Sequence, residues 1–293
     1  MNTKKQISYI ILTLSVLLFC FISCIERINI STEDSPPRLV IYGYITTDTT
    51  QHAIRITRSS GFFGTAKPES ISRADVSISC DEGVFELKES SEEKGLYLTS
   101  PDVYGISGKT YTLHVSLDFD NSGKQEEYEA TSYLPYPATL DSVALTVSYI
   151  VDEFLQVLIW GSLPEKSSNN FSFHLLRNNV VLNDSLRGFR FTRDDYIANN
   201  KFAALPVFQL NPRREKYKFV SGDTIAVQIE SITSEYATFM QNAQQEMYGP
   251  IPLFGGPPAN IETNIRCLSS GSKTGISGFF TAYSKHKAYT IYE

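Results

Sequence analysis

Residues 110–117 read TYTLHVSL, and Tyr111, Leu113, Val115 and Leu117 alternate with polar side chains. A period of two places successive side chains on opposite faces of an extended chain, so this segment reads as a strand with one buried face. Runs of the same character, rich in β-branched and aromatic residues, recur at 38–46, 52–57, 74–80, 84–87, 95–99 and 126–133. Asp81-Glu82-Gly83, Lys94-Gly95 and Ser107-Gly108 separate them with turn chemistry. Such a series of short strands over about a hundred residues is the pattern of a β-sandwich. Pro135 and Pro137 stiffen the chain and end the last strand. This sets a first domain over 38–136 and a second over 137–293.

The second region begins in the same way, with strand patterns at 141–149, 153–160, 170–176 and 224–230, and an irregular, charged and aromatic stretch at 183–222. The period then changes. Tyr236, Phe239, Met240, Ala243 and Met247 recur at three- and four-residue steps, which makes one apolar face of a helix over about 234–248, capped near Ser234 and stopped at Gly249-Pro250. A methionine and aromatic stripe of this kind is packing rather than a cofactor box, and it should lie against the second sandwich. Gly275, Gly278 and Phe279-Phe280 suggest a last hairpin near the helix. The expected fold is therefore mostly β, with two sandwich domains in tandem (Ig-like or transthyretin-like) and one amphipathic helix in the second.

The N-terminus constrains location. Lys4 and Lys5 precede a largely apolar run from Ile7 to Ile22, which ends at the small residue Ser23. A short basic head, an apolar middle and a small residue before the cut are the layout of a secretory signal. Phe21-Ile22-Ser23-Cys24 resembles a bacterial lipobox, in which Cys24 becomes the lipidated first residue, although Phe21 and Ile22 depart from the usual residues. The alternative is an uncleaved anchor helix with an incidental cysteine. Cleavage removes residues 1–23 with two lysines and no acid, so 26 basic residues become 24 against 32 acids and the charge moves from -6 to -8. An acidic chain has no general electrostatic reason to bind nucleic acid. Residues 24–37, ending in Ser35-Pro36-Pro37, read as a tether that spans about 40 Å when extended. Outer membrane is the expected location, and its surface and periplasmic faces both remain open.

Two further cysteines follow, Cys80 and Cys267, each in step with apolar strand residues. A disulfide between them and two ordinary core thiols are both compatible with an oxidising compartment. His52, His114, His174 and His286 are isolated, so no metal site is visible from spacing, and no cofactor is expected. Ser91-Glu92-Glu93-Lys94 and Lys273-Thr274-Gly275 spell parts of the penicillin-recognising signature, but Ser91 falls in a turn between strands rather than at the start of a helix. Asp194-Asp195 with Glu153 or Glu215 could pair as acid and base only if they converge in a cleft. The many tyrosines are expected to cover sandwich faces with their hydroxyls reaching water. Two apolar loops stand out, one with Phe62 and Phe63 between glycines, the other with Ile251, Leu253 and Phe254 in the proline- and glycine-rich stretch 249–260. These five side chains either tuck into their domains or are displayed to a partner.

Five stretches taken in order resemble a known family: the lipobox at Cys24; Leu39-Val40-Ile41-Tyr42-Gly43-Tyr44-Ile45; Arg73 to Ile78 with Gly95-Leu96-Tyr97; Tyr236 to Phe239; and Asn260-Ile261 leading to Gly275-Ile276-Ser277-Gly278-Phe279-Phe280. Together they resemble the Bacteroidetes outer-membrane lipoproteins of domain of unknown function 4249. The resemblance implies association with TonB-dependent outer-membrane receptors, and it carries no catalytic residue. The leading expectation is a non-enzymatic, membrane-anchored binding or accessory module beside a nutrient transporter. A structural or adhesion-type envelope lipoprotein is the alternative, and a hydrolase using carboxylates near 183–222 is a third reading.

Overall fold

The structure is a computed structural model, and it describes residues 36–60, 67–148, 151, 153–165, 170–193, 197–248 and 261–293. Residues 36–293 form one compact unit. The protein is mostly β, with one α-helix among the described residues. The strands of the first half are β1 (Leu39–Thr46), β2 (Ala53–Arg58), β3 (Glu69–Ser70), β4 (Asp75–Cys80), β5 (Gly83–Glu89), β6 (Leu96–Leu98), β7 (Thr110–Leu117) and β8 (Glu126–Tyr133). Then follow β9 (Thr139–Val147), β10 (Leu155–Ser162), β11 (Asn170–Arg177), β12 (Val180–Val181), β13 (Arg190–Arg193), β14 (Lys201–Leu210) and β15 (Thr224–Ile232). The helix α1 (Ser234–Tyr248), β16 (Arg266–Cys267) and β17 (Ile276–Ile291) complete the chain.

One large sheet runs in the order β12-β11-β15-β17-β1-β2-β6-β5-β4-β7-β8-β16, and a second sheet runs β14-β10-β9. The alternation read in β7 holds, since Tyr111, Leu113, Val115 and Leu117 are all buried in the first core. That core is drawn from residues up to Leu134 and is completed from the far end of the chain by Ile265, Phe280 and Ala282. A second core forms between the three-stranded sheet and β11, β15 and β17, with Phe171 and Phe202 edge to face at 6.4 Å. The Leu140 N–H donates to His286 Nδ1 at 3.0 Å and the Ala138 N–H donates to Ser231 Oγ at 3.0 Å, so the start of β9 is fastened over β15 and β17.

The last hairpin expected near residue 275 is absent, and a single 16-residue strand, β17, stands in its place. Its first half pairs in parallel with β1, and its second half pairs antiparallel with β15. At about 3.3 Å per residue it is roughly 50 Å long. Gly278 reads as a turn residue in sequence, but its role is close approach. Its φ is 100°, and a Cβ there would run into the Ile41 carbonyl oxygen opposite it in the parallel pair. The stretch 183–222 also holds more order than its sequence suggests, because it contains β13 and the ten-residue β14. Pro206 and a positive φ at Ala204 break the two-residue period there, beside the register shifts of β14 against β10.

Two buried tyrosines of the first core, Tyr97 and Tyr128, differ from expectation, whereas Tyr111 is buried as the alternation of β7 predicts. Tyr97, Tyr111 and Tyr128 are 0–1% exposed, and their hydroxyls are satisfied by protein rather than water. Tyr97 Oη accepts from the Ala74 N–H and donates to the Ile71 carbonyl, Tyr111 Oη accepts from the Ile106 N–H, and Tyr128 Oη donates to Glu126. Burial pushes all three phenols up. Cys80 and Cys267 are free thiols, partly buried against the same core. Gly278→Ala should lower unfolding stability by about 3 kcal/mol, through backbone strain and the lost β1–β17 approach, as read by denaturant titration.

Candidate functional site

The helix begins where Thr233 caps it, one residue before the expected cap: Thr233 Oγ1 accepts from the Tyr236 N–H at 3.2 Å. Its apolar face is seated on the outer face of the large sheet, across β15, β17 and β1. Tyr236 and Ala237 are buried there with Ile232, Phe279, Tyr283 and Phe189, and Tyr44, Phe191, Phe239 and Met240 pack around them. Phe279 touches both Phe239 and Tyr236, with ring centroids 4.8 and 5.6 Å apart. Tyr42 and Tyr236 share a hydroxyl–hydroxyl bond of 3.0 Å, and burial pushes both phenols up. Farther along, Gln244 Nε2 donates to the Leu186 and Phe189 carbonyls at 2.7 and 3.0 Å. The predicted stripe ends early, because Met247 is 60% exposed.

Beside the helix lies an open groove formed by two adjoining hollows of about 500 and 310 Å3. One wall is the first turns of α1, with Ser234, Glu235, Thr238 and Asn242. Thr263 and Asn264 lie along its length with Phe279. The opposite wall is the start of β7 and the end of β8, with Thr110, Thr131, Ser132 and Tyr133, and Arg266 also lines it. Hydroxyl and amide groups dominate, the carboxylates of Glu235 and Glu262 and one guanidinium join them, and Tyr133 leaves 42% of its surface exposed.

The groove exists because β8 runs on past its edge partner. β16 pairs only with Tyr128 and Glu129, and among the described residues no strand covers the same edge at Thr131 and Tyr133. Asn264 occupies part of that edge. Its Nδ2 donates to the Thr131 carbonyl at 3.2 Å and to the Phe280 carbonyl at 2.7 Å, while its Oδ1 accepts from the Phe280 N–H at 3.0 Å. One amide thus joins β8 to β17 at the base of the groove.

A second polar feature lies near the helix seat. Glu230, 5% exposed, accepts from Ser172 Oγ at 2.6 Å, from Gln228 Nε2 at 2.9 Å and from His174 Nε2 at 3.2 Å. Burial alone would raise the Glu230 carboxyl, but His174 and Ser172 outweigh it and hold the group below the usual glutamate range. Burial alone would lower His174, and the carboxylate holds it above the usual histidine range. Sequence pattern did not single out this pair. Ser172, His174, Gln228 and Glu230 sit at alternate strand positions, which reads as a solvated face.

The residues singled out in the sequence for partner contact, Phe62, Phe63, Ile251, Leu253 and Phe254, lie outside the described residues, as does the lipidation candidate Cys24. Of the carboxylates considered for acid–base work, Asp194 and Asp195 also lie outside the described residues. Glu153 is paired with Arg213, and Glu215 with Lys218 at 2.6 Å, which holds the Glu215 carboxyl down. Among the described residues no group of three or more His, Cys, Asp or Glu side chains is placed to hold a metal ion. Ser91 lies in the turn between β5 and β6, and Lys273-Thr274-Gly275 lies just before β17.

The family model described as domain of unknown function (DUF4249) matches residues 25–288. The chain belongs to the DUF4249 family. No curated protein matches it. The DUF4249 match takes in both cores, α1, the groove and most of β17, so the groove is built wholly from residues within the family region. Asn264→Ala in this DUF4249 protein leaves the main-chain groups of Phe280 without their partner. It should cost about 2 kcal/mol of stability and speed amide exchange at Phe280, measured by denaturant titration and exchange mass spectrometry.

Proposed function

We propose that this protein is a non-enzymatic lipoprotein, anchored to the outer membrane through Cys24, that works as a binding or accessory module beside a TonB-dependent nutrient transporter. The observation that carries the contact role is the open groove between α1 and the uncovered end of β8. It combines a strand edge that no described strand pairs and that Asn264 holds in part, a ring of hydroxyl and amide groups and an exposed tyrosine, Tyr133, and tyrosine is enriched where proteins meet. The lipobox-like segment before Cys24 and the short tether support the anchored location. The apolar loops bearing Phe62, Phe63, Ile251, Leu253 and Phe254 are retained as contact candidates on sequence grounds alone. An envelope spacer or adhesion module is the second reading, and the unbroken β17 shared by both cores favours it.

The test is affinity purification from gently solubilised membranes of the native host, with and without cross-linking, followed by mass spectrometry. The accessory reading expects a TonB-dependent receptor in about equimolar amount, lost when Tyr133→Ala and Glu235→Lys are combined. Recovery of the protein alone, even after cross-linking, would contradict it and favour the spacer. Anchoring is checked separately: Cys24→Ser should move the protein out of the outer-membrane fraction.

A further inference from the structure

The Glu230 cluster borders the seat of α1. Across β11, β15 and β17, Ser172 faces Glu230 and Glu230 faces Lys285, while His174 faces Gln228 and Gln228 faces Lys287. One step along β15 from Glu230, Ile232 belongs to the apolar layer under the helix, and so does Tyr283 on β17. The titratable and charged groups facing the carboxylate are His174 from β11, Lys285 and Tyr283 from β17, Tyr42 from β1, and Tyr236 from α1. Lys285 is itself held by Asp48 at 3.0 Å. Of all these, His174 is the group that changes charge near neutral pH. The ring is positioned through Nε2, which lies 3.2 Å from Glu230, and among the described residues its buried Nδ1 has no hydrogen-bond partner.

We propose that protonated His174 is the cation that keeps Glu230 buried as a carboxylate, and that losing this proton loosens the sheet face carrying α1 and with it one wall of the groove. The consequence for the groove rests on the contact role proposed above, whereas the clamp itself does not. A neutral imidazole still donates one hydrogen bond but supplies no charge, and a buried carboxylate without a counter-charge is strongly disfavoured. The sign follows from linkage. His174 is raised from 6.5, so its contribution is complete below that pH and fades as the pH climbs through the higher folded value. Glu230 is lowered from 4.5, so its contribution is complete above that pH and fades on acidification through the lower folded value. The clamp is therefore fullest between these two reference values and weakens toward alkaline pH.

The test is amide exchange by mass spectrometry on the full chain in detergent micelles at about pH 5.5 and pH 8.5, with intrinsic rates divided out. In the native protein, α1 should lose about fivefold in protection at the higher pH, while β7 and β8 should not change. His174→Gln should abolish the difference, and so should Glu230→Gln, whose neutral amide needs no cation. Equal α1 protection at the two pH values in the native chain would overturn the proposal, as would a native-sized difference in either variant. If His174→Gln does not fold, Glu230→Gln decides alone by the same criterion. No partner enters this measurement, so its failure is distinct from failure of the contact role, which is read from receptor recovery.

Discussion

The parallel pairing of β1 with the first half of β17 is the constraint on which the rest of the structure depends. It joins Leu39–Thr46 to residues more than two hundred positions away and lets Phe280 and Ala282 complete the first core. The same strand then continues into β15, where Ala288 contributes to the second core. The approach requires glycine at 278, facing Ile41. A contact of such sequence separation forms late and slowly in folding, because a long loop must close before the pairing contributes.

Covering the outer face of this sheet is the work of α1. Aromatic rings from the helix, β1 and β17 interlock there, and Phe279 is the common neighbour of Tyr236 and Phe239. A helix laid across this layer also leaves a channel along its side, since β8 projects beyond β16. The groove is therefore a by-product of strand lengths and helix placement. Asn264 fixes its width by holding β8 and β17 with a single side chain. The same cover removes water from Glu230, which makes the carboxylate's partners, His174 above all, matter to how firmly the helix is held.

Strands with a regular period were legible in the sequence, as β7 shows, and so was the helix, because Tyr236, Phe239 and Met240 repeat at helical spacing. Where local chemistry conflicts with tertiary demand, the pattern misleads. Pro206 and the bend at Ala204 hide β14. Gly278 looks like a turn but serves close packing. Tyr97 and Tyr128 read as cover for sandwich faces but are buried, because each hydroxyl finds a protein partner. Of the site, the helical wall could be anticipated. Asn264, Tyr133 and the His174–Glu230 pair could not, since what distinguishes them is the residue brought opposite by long-range pairing.

Shared by both cores, β17 makes residues 36–293 a single cooperative body. The direct measurement is denaturant unfolding followed at once by Trp160 fluorescence, which reports β10 beside the second core, and by amide exchange in β7, which reports the first core. Coincident midpoints, shifted together by Gly278→Ala, are the predicted result. Two separate transitions, with only one core responding to Gly278→Ala, would contradict the account.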